Sequence, residues 1–260
     1  MDMSGNTDFR SANMQTLKDS EMLRYFSEEN PSFFVTLPRD DRDLREMVYF
    51  TNIMLKLPDN FVNSLRESIP SKVILVLANG HETYVNFKKS EQSLCHMKEF
   101  NIDCRDLFGS TLIYSYKGNG KFFVNCLKDD LCEVIYFKNR TIPRDTFYDQ
   151  DVMTGIGWKF LVFLNNPAFQ NGEIPIPAHF WRAFGKLLPP KVQFYMRNGS
   201  RYEGTCSKTE RKMYGLDDLV REYGLSETDK VLFTYFGEGN FFVMIFDTSN
   251  VEVIYTIQSM

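Results

Sequence analysis

Between Lys191 and Lys212 the chain carries Lys191, Arg197, Arg201, Lys208, Arg211 and Lys212 against only Glu203 and Glu210. Ammonium and guanidinium groups at this density suit a polyanion, because each donates charge-assisted hydrogen bonds to phosphate oxygens. Ser207, Thr209 and Tyr214 add hydroxyl groups to the same stretch. Taken alone, a segment of this kind is more often a solvated charged loop. Its meaning therefore depends on the elements that hold it.

Other chemistry is thin. Neither G-x-S-x-G, a phosphate loop nor H-E-x-x-H occurs. His81, His96 and His179 are scattered, and the acidic residues form no obvious buried pair. The five cysteines (Cys95, Cys104, Cys126, Cys132 and Cys206) are odd in number and include no C-x₂₋₄-C pair of the kind a zinc site uses. The expectation is no enzyme: no catalytic residue, no metal site, no cofactor and no small-molecule substrate.

Composition agrees with a globular chain of 260 residues, 43% apolar and 25% charged, with room for one large domain or two ordinary ones. No apolar run approaches the roughly 20 residues of a membrane helix, so no membrane partner is expected. Met1–Asp8 lacks the basic cluster and apolar stretch of a secretory signal, which points to a cytosolic or nuclear protein with reduced thiols. A net charge of −4 argues against a nucleic-acid contact spread over the whole surface. The 24 Phe and 13 Tyr favour strands.

Sliding the chain against itself by 119 residues exposes a duplication. Pro58, Phe61 and Pro70 fall on Pro177, Phe180 and Pro189; Asn79-Gly80 falls on Asn198-Gly199. Phe122-Phe123-Val124 meets Phe241-Phe242-Val243, and Glu133–Tyr136 meets Glu252–Tyr255. Over residues 57–136 there are 19 identities without a gap, where unrelated chains of average composition give about five. In this alignment Cys126 and Cys104 face Ile245 and Tyr223, which reads them as core residues.

Each unit then resolves into elements. Asn-Gly between β-rich runs predicts a type I′ hairpin joining Lys72–Leu77 to Glu82–Phe87, and Lys191–Met196 to Arg201–Cys206. Gly-Asn-Gly and Gly-Glu-Gly mark a second hairpin, joining Leu112–Tyr116 to Phe122–Leu127 and Val231–Phe236 to Phe241–Phe246. Opening strands are read at Phe33–Leu37 and Phe160–Leu164, extended segments at Leu55–Pro58 and Ile174–Pro177, and closing strands at Glu133–Phe137 and Glu252–Ile257. A short helix follows each Pro, with Phe61 and Leu65, or Phe180 and Phe184, on one face. Gly215–Tyr223 predicts a second helix, with Leu94–Ile102 as its less regular counterpart. The fold class is mainly β: two tandem seven-stranded open barrels, each with two short helices. The domains are a flexible tail over 1–31, a first unit over 32–137, a linker over 138–156 and a second unit over 157–260.

The order of these marks resembles, twice over, the plant B3 DNA-binding domain. Its pattern stands here as Phe33-Phe34, Leu55-Lys56-Leu57-Pro58-Asp59-Asn60-Phe61, Asn79-Gly80 and Phe122-Phe123-Val124. It returns as Phe160, Ile174-Pro175-Ile176-Pro177-Ala178-His179-Phe180, Asn198-Gly199 and Phe241–Asp247. Tandem repeats with little else look most like the reproductive-meristem branch of that family. The resemblance implies a pseudobarrel that grips the major groove of duplex DNA with two arms, in a nuclear regulator of transcription. Its partners would be double-stranded DNA and, beyond that, itself or other B3 proteins.

In the second unit the arms map to Asn165–Asn171 and Ser207–Tyr214; in the first, to Arg39–Arg45 and Lys88–Cys95. The implied contacts are Asn165, Asn166, Gln170 and Asn171 for adenine edges, and Arg201, Ser207, Lys208, Thr209, Arg211 and Lys212 for phosphate or guanine. First-unit counterparts are Arg39, Arg42, Arg45, Lys88 and Lys89. There the basic residues alternate with Asp40, Asp41, Asp43 and Glu46, and Ser110 and Thr228 replace expected turn residues. The second unit is therefore the better DNA reader. The alternative is a B3-folded interaction or dimerisation module with weak or lost DNA binding.

Overall fold

The computed structural model describes residues 31–37, 54–65, 67–77, 80–97, 100, 109–128, 130–133, 158–165, 169 and 172–254. Residues 1–30 of the tail, the whole linker over 138–156, and the predicted closing strands beyond Glu133 and Ile254 lie outside them. The first sheet contains β1 (Ser32–Thr36), β2 (Leu55–Lys56), β3 (Lys72–Leu77), β4 (Glu82–Lys88), β5 (Ser93–Cys95), β6 (Thr111–Tyr116) and β7 (Lys121–Leu127). The second contains β8 (Trp158–Phe163), β9 (Ile174–Pro175), β10 (Lys191–Met196), β11 (Arg201–Ser207), β12 (Lys212–Tyr214), β13 (Lys230–Gly237) and β14 (Asn240–Phe246). Both sheets have the same order, β1-β6-β7-β3-β4-β5-β2 and β8-β13-β14-β10-β11-β12-β9. The protein is mainly β, and the described residues include helices α1 (Asp59–Ser64), α2 (Ala178–Phe184) and α3 (Asp217–Glu222).

Helices α1 and α2 begin directly after Pro58 and Pro177, whose locked φ suits a helix entrance, and turn Phe61, Phe180 and Phe184 into the cores. In the second core Phe180 meets Phe160 at 4.8 Å and Phe184 at 5.1 Å between ring centroids. Cys126 is fully buried in the first core, as the alignment with Ile245 implies. Leu216 and Leu219 bury the apolar side of α3. At the start of the expected first-unit counterpart Leu94 and Cys95 belong instead to strand β5, held by pairing with β4 and β2, while residues 98–99 and 101–102 lie outside the described residues.

Turn chemistry departs from expectation in an informative way. In the Asn198-Gly199 loop only the glycine has positive φ, at +86°, whereas a type I′ turn needs two such residues. Met196 closes a three-residue loop by accepting from Gly199 N–H and donating to Ser200 O. The two-residue type I′ geometry sits in the second hairpin: φ is +51° at Asn119 and +75° at Gly120, and +51° at Glu238 and +79° at Gly239. A Cβ on Gly120 or Gly239 would lie 2.6 Å from the Cγ of Pro70 or Pro189, so the Pro and Gly identities of the duplication form one packing unit.

The two sheets exchange contacts through their closing segments, each of which also stays paired with its own last strand at the bridges Leu127↔Glu133 and Phe246↔Glu252. Glu133 N–H donates to Lys159 O at 2.8 Å and Leu161 N–H donates to Leu131 O at 2.9 Å. Reciprocally, Glu252 N–H donates to Ser32 O at 2.7 Å and Phe34 N–H donates to Asn250 O at 3.0 Å. Bridges Cys132↔Phe160 and Phe33↔Val251 complete the pattern. Cys132 plugs the second core and Val251 the first. A shared core joins Phe34, Ile113 and Leu127 to their equivalents Leu161, Leu232 and Phe246. Equivalent residues meeting in both directions define an isologous interface, here within one chain.

Each exchange carries one buried carboxylate. Glu133 accepts from Lys159 N–H at 3.1 Å and Asn125 Nδ2 at 2.8 Å, with Lys159 Nζ 3.9 Å away. Glu252 accepts from Ser32 N–H at 2.9 Å and Arg197 Nη2 at 2.8 Å. Burial raises both carboxyl pKa values and lowers that of Lys159. Phe241 points into the second core and Phe242 into the shared one, so both faces of β14 are covered.

Two outcomes follow from this arrangement. Glu252→Gln removes the buried carboxylate that accepts from Ser32 N–H and Arg197 and is expected to lower the unfolding free energy in urea by about 3–5 kcal/mol. Amide exchange should quicken at Phe34 in the first sheet as well as at Phe246; undisturbed protection at Phe34 would contradict the exchange. Phe241→Ala and Phe242→Ala should each destabilise by about 3–5 kcal/mol. Early exchange should stay within the second sheet for Phe241→Ala and reach both sheets for Phe242→Ala.

Candidate nucleic-acid interface

Strand β11 alternates strictly, with Arg201, Glu203 and Thr205 exposed and Cys206 buried. It cannot continue beyond Ser207 because the chain doubles back to place β12 beside it, pairing Ser207 with Lys212 and Thr205 with Tyr214. Gly204 permits that approach, since a Cβ there would stand 2.3 Å from Tyr214 O. The predicted loop over Ser207–Tyr214 is thus shorter than expected: its last three residues are a strand and its tip is a tight turn over 208–211.

The turn is held from inside. Ser207 Oγ lies 3.1 Å from Thr209 Oγ1 and accepts from Glu210 N–H at 3.3 Å. Both hydroxyls therefore serve the turn. Arg211 adopts φ +55°, and its carbonyl accepts from Ile176 N–H at 3.0 Å. A non-glycine residue in the left-handed region is kept there only when its surroundings fix it. Lys208 Nζ reaches Lys186 O at 3.3 Å, while Arg211 is exposed and has no ion pair among the described residues.

The carboxylates of this region are engaged. Glu210 accepts from Tyr214 Oη at 2.6 Å, and Glu173 accepts from Lys212 Nζ at 2.6 Å. Hydrogen bonds from Tyr214 and Ser207 hold the Glu210 carboxyl below its usual range. The Tyr214 phenol is pushed up to about 12 by the hydrogen bond to Glu210, and Lys212 is raised by Glu173. Glu173 had no signal in the sequence; the pairing of β9 with β12 brings it to Lys212 across 39 positions.

The structure gathers some predicted residues and separates others. Asn165 is exposed two residues beyond β8, and Phe169 is buried in the second core. Lys208, Arg211 and Lys212 share the β11–β12 end. Arg201 stands at the other end of β11, about 20 Å away at strand rise, stacked 5.3 Å above the Tyr195 ring. Asn166, Gln170, Asn171, Arg39, Arg42 and Arg45 lie outside the described residues.

The first sheet repeats the turn with different chemistry. Gln92 takes the place of Arg211, at φ +50°, and its carbonyl accepts from Leu57 N–H at 2.9 Å. Lys88 is bonded to Glu91, leaving Lys89 as the exposed cation of that turn.

Elsewhere, burial pushes the Cys126 and Cys132 thiols up to about 12 and raises Cys95 and Cys206. Thiols held protonated in this way are poor nucleophiles. Among the described residues, no three His, Cys, Asp or Glu side chains come together, and no helix is long and apolar enough to cross a membrane.

No family model matches the chain. A B3 domain-containing protein of Oryza sativa subsp. japonica is 34% identical over 87 residues, which cover 32% of this chain. The match spans only 18% of that relative's length. The likeness to a B3 domain-containing protein extends over about a third of the chain. The solved structure of a hypothetical Arabidopsis thaliana protein matches with 17% identity and a TM-score of 0.30, over 34% of this chain and 89% of that one.

The Glu210–Tyr214 bond gives a pH test with a definite sign. Because the Glu210 value is lowered, its contribution to arm order is complete above the usual carboxylate range and is lost as pH falls through the lowered value. Ultraviolet titration, with Tyr214→Phe as the difference control, should show Tyr214 ionising near 12, and Glu210→Gln should bring it back toward 10.

Proposed function

We propose that the chain is a nuclear, sequence-specific duplex-DNA-binding protein that regulates transcription without catalysis. In this reading the two sheets are tandem B3-type pseudobarrels, with units over 32–137 and 157–260. The observation that carries it is the β11–β12 turn, where Lys208 and Arg211 project from a hydrogen-bonded tip whose carboxylates are both engaged. The rice relative adds support through its B3 domain.

The chemistry follows from geometry. The major groove, about 12 Å wide, admits a two-stranded ribbon such as β11–β12. Lys208 meets phosphates, which fixes register without reading sequence. Arg211 presents a planar fork that matches O6 and N7 of guanine. The side-chain amides of the segment after β8, beginning at Asn165, supply adenine contacts from the opposite wall. The first unit is the weaker reader, because Glu91 already occupies Lys88. That same pairing favours a second reading, in which the first unit contributes a protein-binding surface for itself or another B3 protein.

Selection from randomised duplex DNA at near-physiological salt tests the proposal. The wild type is expected to enrich a short motif, and a folded Lys208→Ala/Arg211→Ala variant to lose it. Each lost phosphate contact should lower the salt slope of binding by about 0.9. Absence of enrichment by folded wild type would leave the interaction module as the standing reading.

A further inference from the structure

Three cations look equivalent in the sequence of the arm, but the structure gives them different surroundings. Lys208 and Arg211 lead outward from the turn. Lys212 lies at the base, in the first position of β12, paired with Pro175 of β9 and bonded through Nζ to Glu173. Glu173 follows Gly172, which marks the end of the segment leaving β8. A Cβ on Gly172 would stand 2.5 Å from either Asp217 carboxylate oxygen, so that end is seated on the start of α3. The bond Ile176 N–H to Arg211 O lies one residue beyond on each strand and fixes the left-handed tip.

We infer that the Glu173–Lys212 pair is a strut that locks the end of the first arm to the base of the second, and that Lys212 is a positioning residue without a phosphate contact of its own. The inference rests on the DNA-binding reading for its consequence, though the strut itself exists in the free protein. Its carboxylate is the telling partner. A bare Glu173 beside a DNA-facing lysine would only oppose binding, whereas a strut turns the same negative charge into a requirement for binding. In the first sheet Met54 and Ser93 occupy the equivalent positions, so the corresponding arm is held by main-chain bonds without this pair.

Electrostatics alone and the strut predict opposite signs for one substitution. Glu173→Gln removes a negative charge beside the groove, and if Lys212 met phosphate the freed cation would tighten binding. The strut predicts weaker binding, by between about two- and fivefold, the range a partly exposed ion pair supports. The salt slope should be unchanged in Glu173→Gln and in Lys212→Gln, whereas Lys208→Gln lowers it by about 0.9. Lys212→Arg should restore affinity.

Amide exchange on the free full-length protein gives an independent readout: Ile176 and residues 208–211 should exchange faster in Glu173→Gln and Lys212→Gln. Tighter binding by Glu173→Gln, a flattened slope in Lys212→Gln, or unchanged exchange at Ile176 would each overturn the strut. Wild type that binds no duplex while Ile176 still responds to Glu173→Gln would overturn the DNA reading and leave the strut standing.

Discussion

The exchange of closing segments is the constraint on which the rest of the molecule depends. Among the described residues, each seven-stranded sheet begins with a strand whose outer edge is covered by the other unit, through Leu131–Glu133 on β8 and Asn250–Glu252 on β1. An uncovered edge is a template for unwanted pairing. Covering it reciprocally also places Glu133 and Glu252 in the interior, where their charge is tolerable only because main-chain N–H groups and Lys159 or Arg197 answer it. These glutamates are identities of the duplication, and their burial is a consequence of two units closing on each other.

That closure determines where function can reside. Strands β8, β13 and β14, with their counterparts β1, β6 and β7, give one face to the shared core. The β11–β12–β9 end lies farthest from β8 in strand order. There the backbone builds a turn that is the same in both units, down to a left-handed residue at Gln92 and Arg211. The units differ in what they hang on it. One presents Arg211 and Lys208, the other the amide of Gln92 and the exposed Lys89, beside a Lys88 already bonded to Glu91.

Local patterns made much of the fold legible. Lys191–Met196 coincides with β10, the Pro-led helices stand where Pro58 and Pro177 place them, and both hairpins join the expected strands. These features depend on neighbours within a few residues. Turn type was less legible, because Asn-Gly suits either a two-residue loop or a three-residue loop with one left-handed glycine, and strand stagger chooses between them. The arm was legible as charge and illegible as geometry: Arg201 and Lys208 are near in sequence but sit at opposite ends of one strand. The partner of Lys212 lies 39 residues away and leaves no local mark.

By itself the sequence determined the duplication, the β class, the two hairpins of each unit and the cationic character of one segment, since periodicity, turn residues and charge are properties of short stretches. Only the tertiary structure decided that each unit closes the other, that Phe241 and Phe242 serve different cores, and that Lys212 answers Glu173. Those outcomes belong to contacts between distant segments, set by strand register and by which sheet edge finds a partner. No composition or spacing encodes them until the chain has folded.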